Sequence, residues 1–335
     1  MQGKRLWITA PYEVSAEPFE LADQPSAGNI LLRAERTLIS AGTELAIVMG
    51  THISFTTGGA WPRFPMALGY TFCGRVVAVG AGVTEVSLGD LVLSGAPHAS
   101  LAEVPAGKTL KVPVGCSAED ALLAHLSSIP QVGLHLAAPR YGEGIVVFGQ
   151  GLIGSLAARF ALIAGLRPVI AVDPIVERRE FAAAAGLVPV DPNESDPSDV
   201  YKSLTGGRLP EIVIEATGAP SVINEALRVA GDMARVVLMG SPRGRVEIDP
   251  YNDVHRKGVS VIGAHANWAA PIPTAWNPFT NDRQRHYAMA LIVDGSLSTK
   301  GLISHHIAPA RARETYRALA DRAPGYMGVV IDWSE

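Results

Sequence analysis

Apolar and polar positions follow three different patterns along this chain. In the first third, short runs rich in apolar and β-branched residues (30–39, 71–79, 90–93 and 110–112) are separated by turns such as Ala81-Gly82, Gly89-Asp90 and Ala106-Gly107. Runs of this length between turn residues predict strands, and their succession predicts an all-β domain of the barrel kind. From Gly144 the period changes. Residues 144–148 are continuously apolar, 152–164 repeat with helical spacing, and 169–172 are again apolar and β-branched. Helical patterns at 177–185 and 221–229 then alternate with apolar runs at 212–214, 235–239 and 259–262. Strands that are apolar on both faces, alternating with helices, predict an α/β arrangement with a parallel sheet covered on both sides. After His265 a Trp/Pro/Asn-rich loop (267–282) precedes a predicted helix (283–293), strand (302–307), helix (310–320) and strand (327–331). The expected layout is a doubly wound parallel sheet over 128–265, inserted into a β-rich domain formed by 1–127 and 266–335.

Composition narrows the function classes. A chain of 335 residues with 48% apolar and 18% charged positions has room for two domains with large cores. A formal charge of −4, with no run of Lys or Arg, lacks the electrostatic footprint of a nucleic-acid binder. The only cysteines, Cys73 and Cys116, are too few for a disulfide framework or a four-cysteine structural zinc. The apolar stretch 145–172 is broken by Gly149, Gln150, Gly151, Gly154, Arg159, Arg167 and Pro168, so it reads as a buried strand–helix–strand unit rather than a membrane span. The first residues do not have the pattern of a signal peptide. The expectation is a cytoplasmic protein with a small-molecule substrate and no nucleic-acid or membrane partner.

The most specific motif is Gly149-Gln-Gly151-Leu-Ile-Gly154, directly after a predicted strand and opening a predicted helix. In that context Gly149 permits a tight turn, Gly151 lets a pyrophosphate approach the backbone, and Gly154 allows close helix–strand packing. The first-turn N–H groups, at Leu152 and Ile153, face the phosphates. Asp173 ends the next strand, 19 residues after Gly154, where a carboxylate accepts hydrogen bonds from ribose hydroxyls and repels a 2′-phosphate. The predicted cofactor is therefore NAD, although the nearby Arg178 and Arg179 weaken the discrimination against NADP. Thr217-Gly218 and Gly240-Ser241 end later strands on the same edge and are further cofactor candidates.

Over nearly its whole length the chain resembles the medium-chain dehydrogenase/reductase superfamily. The resemblance rests on Ser40-Ala-Gly-Thr-Glu44, Pro65-Met-Ala-Leu-Gly-Tyr70, Gly74-Arg-Val-Val-Ala-Val-Gly80, Val147-Phe-Gly-Gln-Gly-Leu-Ile-Gly154 and Glu215-Ala-Thr-Gly218. The stretch from His255 to Gly263 is similar to the polyol and threonine dehydrogenase branch. Membership implies a chaperonin-10-like (GroES-like) β domain and a Rossmann domain, with the active site in the cleft between them, and a homodimer paired through 259–262. Zinc members carry a ligating Cys and His where this chain has Ala41 and Tyr70, and their third ligand position falls near Ser128. Ala, Tyr and Ser do not make the donor set that zinc requires. The expectation is no catalytic metal, as in the zinc-less branch that includes bacteriochlorophyllide hydroxyethyl dehydrogenase. His305 and His306 are adjacent on a predicted strand and point to opposite faces, and the other histidines are scattered.

Without a metal, a side chain must take or give the hydroxyl proton. Tyr70, in the place of the lost ligand, is the first candidate. A free phenol has a pKa of about 10, so acting as a base near neutrality would require a cationic or hydrogen-bonding neighbour. Thr43 matches the position that in the family bonds the substrate oxygen. His52 is a candidate for continuing a proton relay, because Ala46 stands where some members have a histidine. Glu44 matches a buried acid behind the metal site. Trp61, Asn267 and Trp268 are candidate substrate-pocket residues, suited to a ring-shaped alcohol. The expected activity is zinc-independent, NAD-dependent interconversion of a secondary alcohol and a ketone. The alternatives are an enoyl or quinone reductase and a catalytically silent NAD-binding protein.

Overall fold

The computed structural model of the chain describes residues 1–242 and 244–334. It divides into two compact units: Met1–Leu126 with His286–Val293 and the residues from Ile303 onward, and Ser127–Arg285 with Asp294–Leu302. The chain begins with strands β1 (Gln2–Ile8), β2 (Val14–Glu20), β3 (Asn29–Leu38), β4 (Met66–Ala67), β5 (Phe72–Val79), β6 (Leu91–Ser94), β7 (Leu101–Pro105) and β8 (Leu110–Lys111). Helices α1 (Ala41–Val48), α2 (Ile53–Thr57) and α3 (Ala118–Leu126) fall in the same region, and α4 (Ser128–Ala137) follows. Strands β9 (Ile145–Phe148), β10 (Val169–Val172), β11 (Val188–Val190), β12 (Ile212–Glu215), β13 (Arg235–Leu238) and β14 (Ser260–Gly263) come next. Helices α5 (Leu152–Ile163), α6 (Val176–Ala184), α7 (Pro197–Thr205) and α8 (Pro220–Val229) lie between them. Helix α9 (Asn281–Val293), strand β15 (Ile303–Ile307), helix α10 (Ala312–Ala320) and strand β16 (Gly328–Asp332) close the chain.

In the first unit β3 is shared by most of the architecture. It pairs antiparallel with β5, β7 and β16, in a sheet of order β15-β16-β3-β5-β6-β8, while β2-β1-β4 form a smaller sheet. Alternate side chains (Ile30, Leu32 and Ala34 on β3, Phe72 and Val76 on β5, Val329 and Ile331 on β16) enter one core with Leu6, Ile8 and, from α10, Tyr316. Burying each large apolar side chain contributes about 1.5–3 kcal/mol. The prediction of an all-β first region misses α1 and α2, and α3 just beyond it was not predicted. Nearly every residue of α3 is buried, so the helix lacks the polar stripe that makes an amphipathic period visible.

The second unit holds an all-parallel sheet of order β11-β10-β9-β12-β13-β14. All four residues of β9 are buried, as are those of β10 and β12, which accounts for their unbroken apolar runs. The strand order reverses between β9 and β12, and the crevice beyond the carboxyl ends of such strands is where ligands bind in open parallel sheets. This unit extends beyond the expected 128–265, because 266–285 and 294–302 belong to it. Gln131 donates to the Gln284 carbonyl (3.0 Å), His135 stacks on Phe279 (ring centroids 3.7 Å), and Arg159 donates to the carbonyls of Ser298 and Lys300. Among the described residues no helix is long and apolar enough to cross a membrane.

Candidate functional site

The glycine-rich turn joins β9 to α5 at the reversal point. Gly149 has φ +87°, open only to a residue without Cβ, and a Cβ on Gly154 would lie 1.7 Å from the Gly149 carbonyl oxygen. No atom lies within 4 Å of where a Cβ on Gly151 would be, so that face of the turn is open. Gly151 caps α5 without a side-chain bond, which leaves the N–H groups of the first turn, around Leu152 and Ile153, for a ligand. The neighbouring strand ends pack closely on this turn and on each other: a Cβ on Gly149 would meet Thr217, one on Gly218 would meet Ser241, and one on Gly240 would meet Gly218. The Glu215 carboxylate fixes the adjoining turn by accepting from the Gly218 N–H (2.9 Å) and from the Thr217 N–H and hydroxyl. Asp173 is buried, and its carboxylate accepts from the backbone N–H of Gln150 (2.7 Å) and Ile175 (2.9 Å), with Arg178 Nη1 at 3.3 Å. The acid is thus tied to the glycine turn as well as standing at the end of β10.

In the first unit the hydroxyls of Tyr70, Ser40 and Thr43 come together. The Tyr70 phenol donates to Ser40 Oγ, and Thr43 also bonds it. Burial raises the phenol pKa above its ordinary value, and the negative charge of Glu44 adds to the rise. The bonds from Ser40 and Thr43 oppose it without cancelling it. The hydrogen-bonding neighbours expected from the sequence are present, but their effect is outweighed, so this phenol stays protonated near neutrality. His125, on α3, faces it with ring centroids 6.1 Å apart. Behind this group Glu44 is fully buried. One carboxylate oxygen accepts the Ser40 backbone N–H (2.8 Å); the other meets His98 Nε2 (2.9 Å) and the Tyr316 hydroxyl.

Other sequence candidates lie elsewhere. His52 caps α2, its Nδ1 accepting the Ser54 N–H (3.2 Å), and its ring packs edge-on against Trp61 (5.5 Å) and Phe55 (6.4 Å). The relay from Thr43 to His52 was predicted from nearness in sequence, and the capping geometry gives that nitrogen another task. Trp61 belongs to the first unit and is 54% exposed; Trp268 belongs to the second and is 66% exposed, with Asn267 exposed beside it. Ser128 is buried at the start of α4. His305 stacks on Tyr326 while His306 pairs with Glu119, so the two rings do serve opposite faces. Sequence reasoning missed Ser40, His98 and Tyr316. Ser40 lay inside a recognised motif, but no spacing ties residues 98 and 316 to residue 44. Among the described residues no group of three or more His, Cys, Asp or Glu side chains is arranged to hold a metal ion.

Residues 35–127 match the alcohol dehydrogenase GroES-like domain, and residues 153–280 match the zinc-binding dehydrogenase family. The chain belongs to the medium-chain dehydrogenase/reductase superfamily. It is 28% identical over 347 aligned positions to an L-threonine 3-dehydrogenase of Saccharopolyspora erythraea, covering 94% of this chain and 95% of that one. It is 27% identical over 263 positions to the D-guloside 3-dehydrogenase of Escherichia coli, covering 77% and 74%. Its fold matches a putative zinc-binding dehydrogenase of Sinorhizobium meliloti bound to NADP, with a TM-score of 0.82, 21% identity and 99% of both chains covered. The second unit is accordingly a Rossmann domain and the first is GroES-like, as the superfamily's architecture requires.

Proposed function

We propose that this protein is a nicotinamide-dependent oxidoreductase of the alcohol dehydrogenase type. In this reading it interconverts a secondary alcohol and its ketone without catalytic zinc, uses NAD, and acts on a cyclic, polyhydroxylated or ring-attached alcohol. The observation that carries the reading is the Tyr70–Ser40–Thr43 hydroxyl group, with Tyr70 where zinc members place a ligand, in a chain that also has the glycine cradle. The donor set does not fit zinc: Ala41 offers no donor, the Tyr70 phenol is bonded by Ser40 and Thr43, and both oxygens of Glu44 are engaged.

The residues that fit a dinucleotide are the Gly149–Gly154 turn with the α5 N-terminus for the pyrophosphate, and Asp173 for the ribose. A bound nicotinamide supplies or accepts the hydride. Tyr70, held protonated by burial and by Glu44, gives its proton to a carbonyl oxygen in reduction and must be deprotonated again in oxidation. Thr43 bonds the phenol, and in this reading it also bonds the substrate oxygen. A sugar-ring alcohol is supported by the exposed aromatic surface of Trp61 in the first unit and by the guloside 3-dehydrogenase relative. A homodimer joined through β14 belongs to the same proposal. Its support is the open outer edge of that strand, where Ser260, Val261 and Gly263 are exposed.

The test is metal analysis together with NADH fluorescence titration, using NADPH as competitor, on one purified sample. Less than about 0.1 zinc per chain and tighter NADH than NADPH binding are expected. Stoichiometric zinc overturns the metal-free reading, and tighter NADPH binding overturns the role given to Asp173.

A further inference from the structure

Ser40 occupies the N-cap of α1, where a serine ordinarily turns its hydroxyl to a first-turn N–H. Here it makes no such bond, and the hydroxyl meets Tyr70 instead. The Glu44 carboxylate, from the fourth residue of α1, one position beyond that of a capping-box acid, reaches back to the Ser40 N–H at 2.8 Å. That carboxylate is itself gripped from two distant elements. His98 comes from the loop between β6 and β7, and Tyr316 from α10; both are completely buried.

His98 also seats the backbone that carries Tyr70. Its N–H donates to the Leu68 carbonyl (2.7 Å), and its ring fills the space beside Gly69, where a Cβ would lie 2.5 Å from it. Gly69 has φ +93°, so only glycine fits this bend immediately before the phenol. Two buried side chains, from a loop and from α10, and one backbone N–H therefore converge on one acid, with more order than a helix end requires.

We propose that Glu44, held by His98 and Tyr316, is a positioning residue for the proton-donating phenol: it fixes Ser40 by its backbone N–H, so that the Ser40 hydroxyl is turned to Tyr70 rather than to the first turn of α1. The inference rests on the reading of Tyr70 as proton donor. The titratable groups facing the pair are Glu44 on α1 and His125 on α3 for Tyr70, and His98, Tyr316 and Tyr70 around Glu44. Glu44 opposes ionisation of the phenol, whereas the Ser40 hydroxyl favours it.

The experiment is a tyrosinate absorbance titration of the full chain, each form subtracted from its Tyr70→Phe counterpart so that only residue 70 is read. In Glu44→Gln the Tyr70 titration moves to lower pH, because the neighbouring charge is gone. In Ser40→Ala it moves the other way, because the hydroxyl that favours the ionised phenol is gone. Turnover with cyclohexanone and NADH gives the second readout. Glu44→Gln lowers kcat about tenfold or more when Tyr70 is present and less than about twofold in the Tyr70→Phe background, since coupled residues are not additive. An unmoved Tyr70 titration in both variants, or an equal loss of kcat in both backgrounds, overturns the proposal and makes Glu44 a merely structural acid. If Tyr70→Phe keeps wild-type turnover, the proton-donor reading fails instead, and the absorbance titration still decides whether Glu44 and Ser40 act on the phenol.

Discussion

In the Rossmann unit, the groups that fit a dinucleotide lie almost side by side in the chain. Gly149, Gly151, Gly154 and Asp173 form one strand–turn–helix–strand unit, and even the Asp173 carboxylate is hydrogen-bonded back to the glycine turn. In the GroES-like unit, the groups around the phenol come from α1, the segment before β5, the loop before β7, and α10. One site is built by local chain geometry, the other by tertiary packing. A local site is robust to distant change and fragile to one wrong Cβ; a packed site spreads its dependence over several elements.

The largest expected effect falls on the packed site. Tyr70→Phe lowers kcat by about 10²–10⁴-fold, the usual contribution of a positioned proton donor, while NADH affinity stays within about twofold. Because the phenol pKa lies above its ordinary value, wild-type reduction is flat through neutral pH and falls only as pH climbs through that raised pKa. Oxidation rises over the same range. Steady-state kinetics in both directions, from pH 6 upward, check the sign; a reduction rate that halves between pH 6 and 8 would assign the proton to another group.

Next comes the local site. Gly154→Ala places a methyl against the Gly149 carbonyl, 1.7 Å away, so the turn must open. NADH binding is expected to weaken about 100-fold or more, equivalent to roughly 2.7 kcal/mol, while the Tyr70 titration of the GroES-like unit does not move. Unchanged NADH affinity in this variant would mean that the glycine turn does not carry the cofactor.

Tyr316→Phe removes one oxygen from a fully buried bond to Glu44 and leaves the ring in the core. Losing a hydrogen bond to a charged group costs about 1.5–3 kcal/mol, to be read from urea unfolding. A loss under about 0.5 kcal/mol would show that His98 and the Ser40 N–H suffice to hold the acid.

The same contrast explains what could be read in the sequence. The parallel sheet was legible because β9, β10 and β12 are buried on both faces and so appear as unbroken apolar runs. The Gly149–Gly154 spacing is a local code with one structural solution. The helix α3 was not legible, since burial on nearly every side erases the polar stripe. Glu44, Thr43 and Tyr70 were singled out because they lie in motifs with a family counterpart. His98 stayed one histidine among nine, as no spacing rule joins the loop before β7 to α1. The far boundary of the second unit was missed for a related reason: what holds 266–285 to it is the bond from Gln131 to the Gln284 carbonyl and the stack of His135 on Phe279, neither of which leaves a periodic trace.

The smallest effect tests how local the cofactor site is. Arg178 approaches Asp173 at 3.3 Å, but its side chain is 29% exposed, and exposed ion pairs contribute only about 0–1 kcal/mol. Asp173 keeps its two backbone N–H bonds when the guanidinium is removed, so Arg178→Ala leaves the carboxylate in place. NADH affinity should change by about threefold or less, equivalent to roughly 0.7 kcal/mol. Affinity for NADPH should fall further, because the nearest cation to the carboxylate that would face a 2′-phosphate has gone. Competition titration of both dinucleotides reads the ratio directly. If NADH binding instead collapses by more than about tenfold, an exposed side chain on α6 is holding the site together. The Rossmann unit would then depend on dispersed side chains just as the GroES-like unit does, and the contrast between local and packed sites would not hold for this protein.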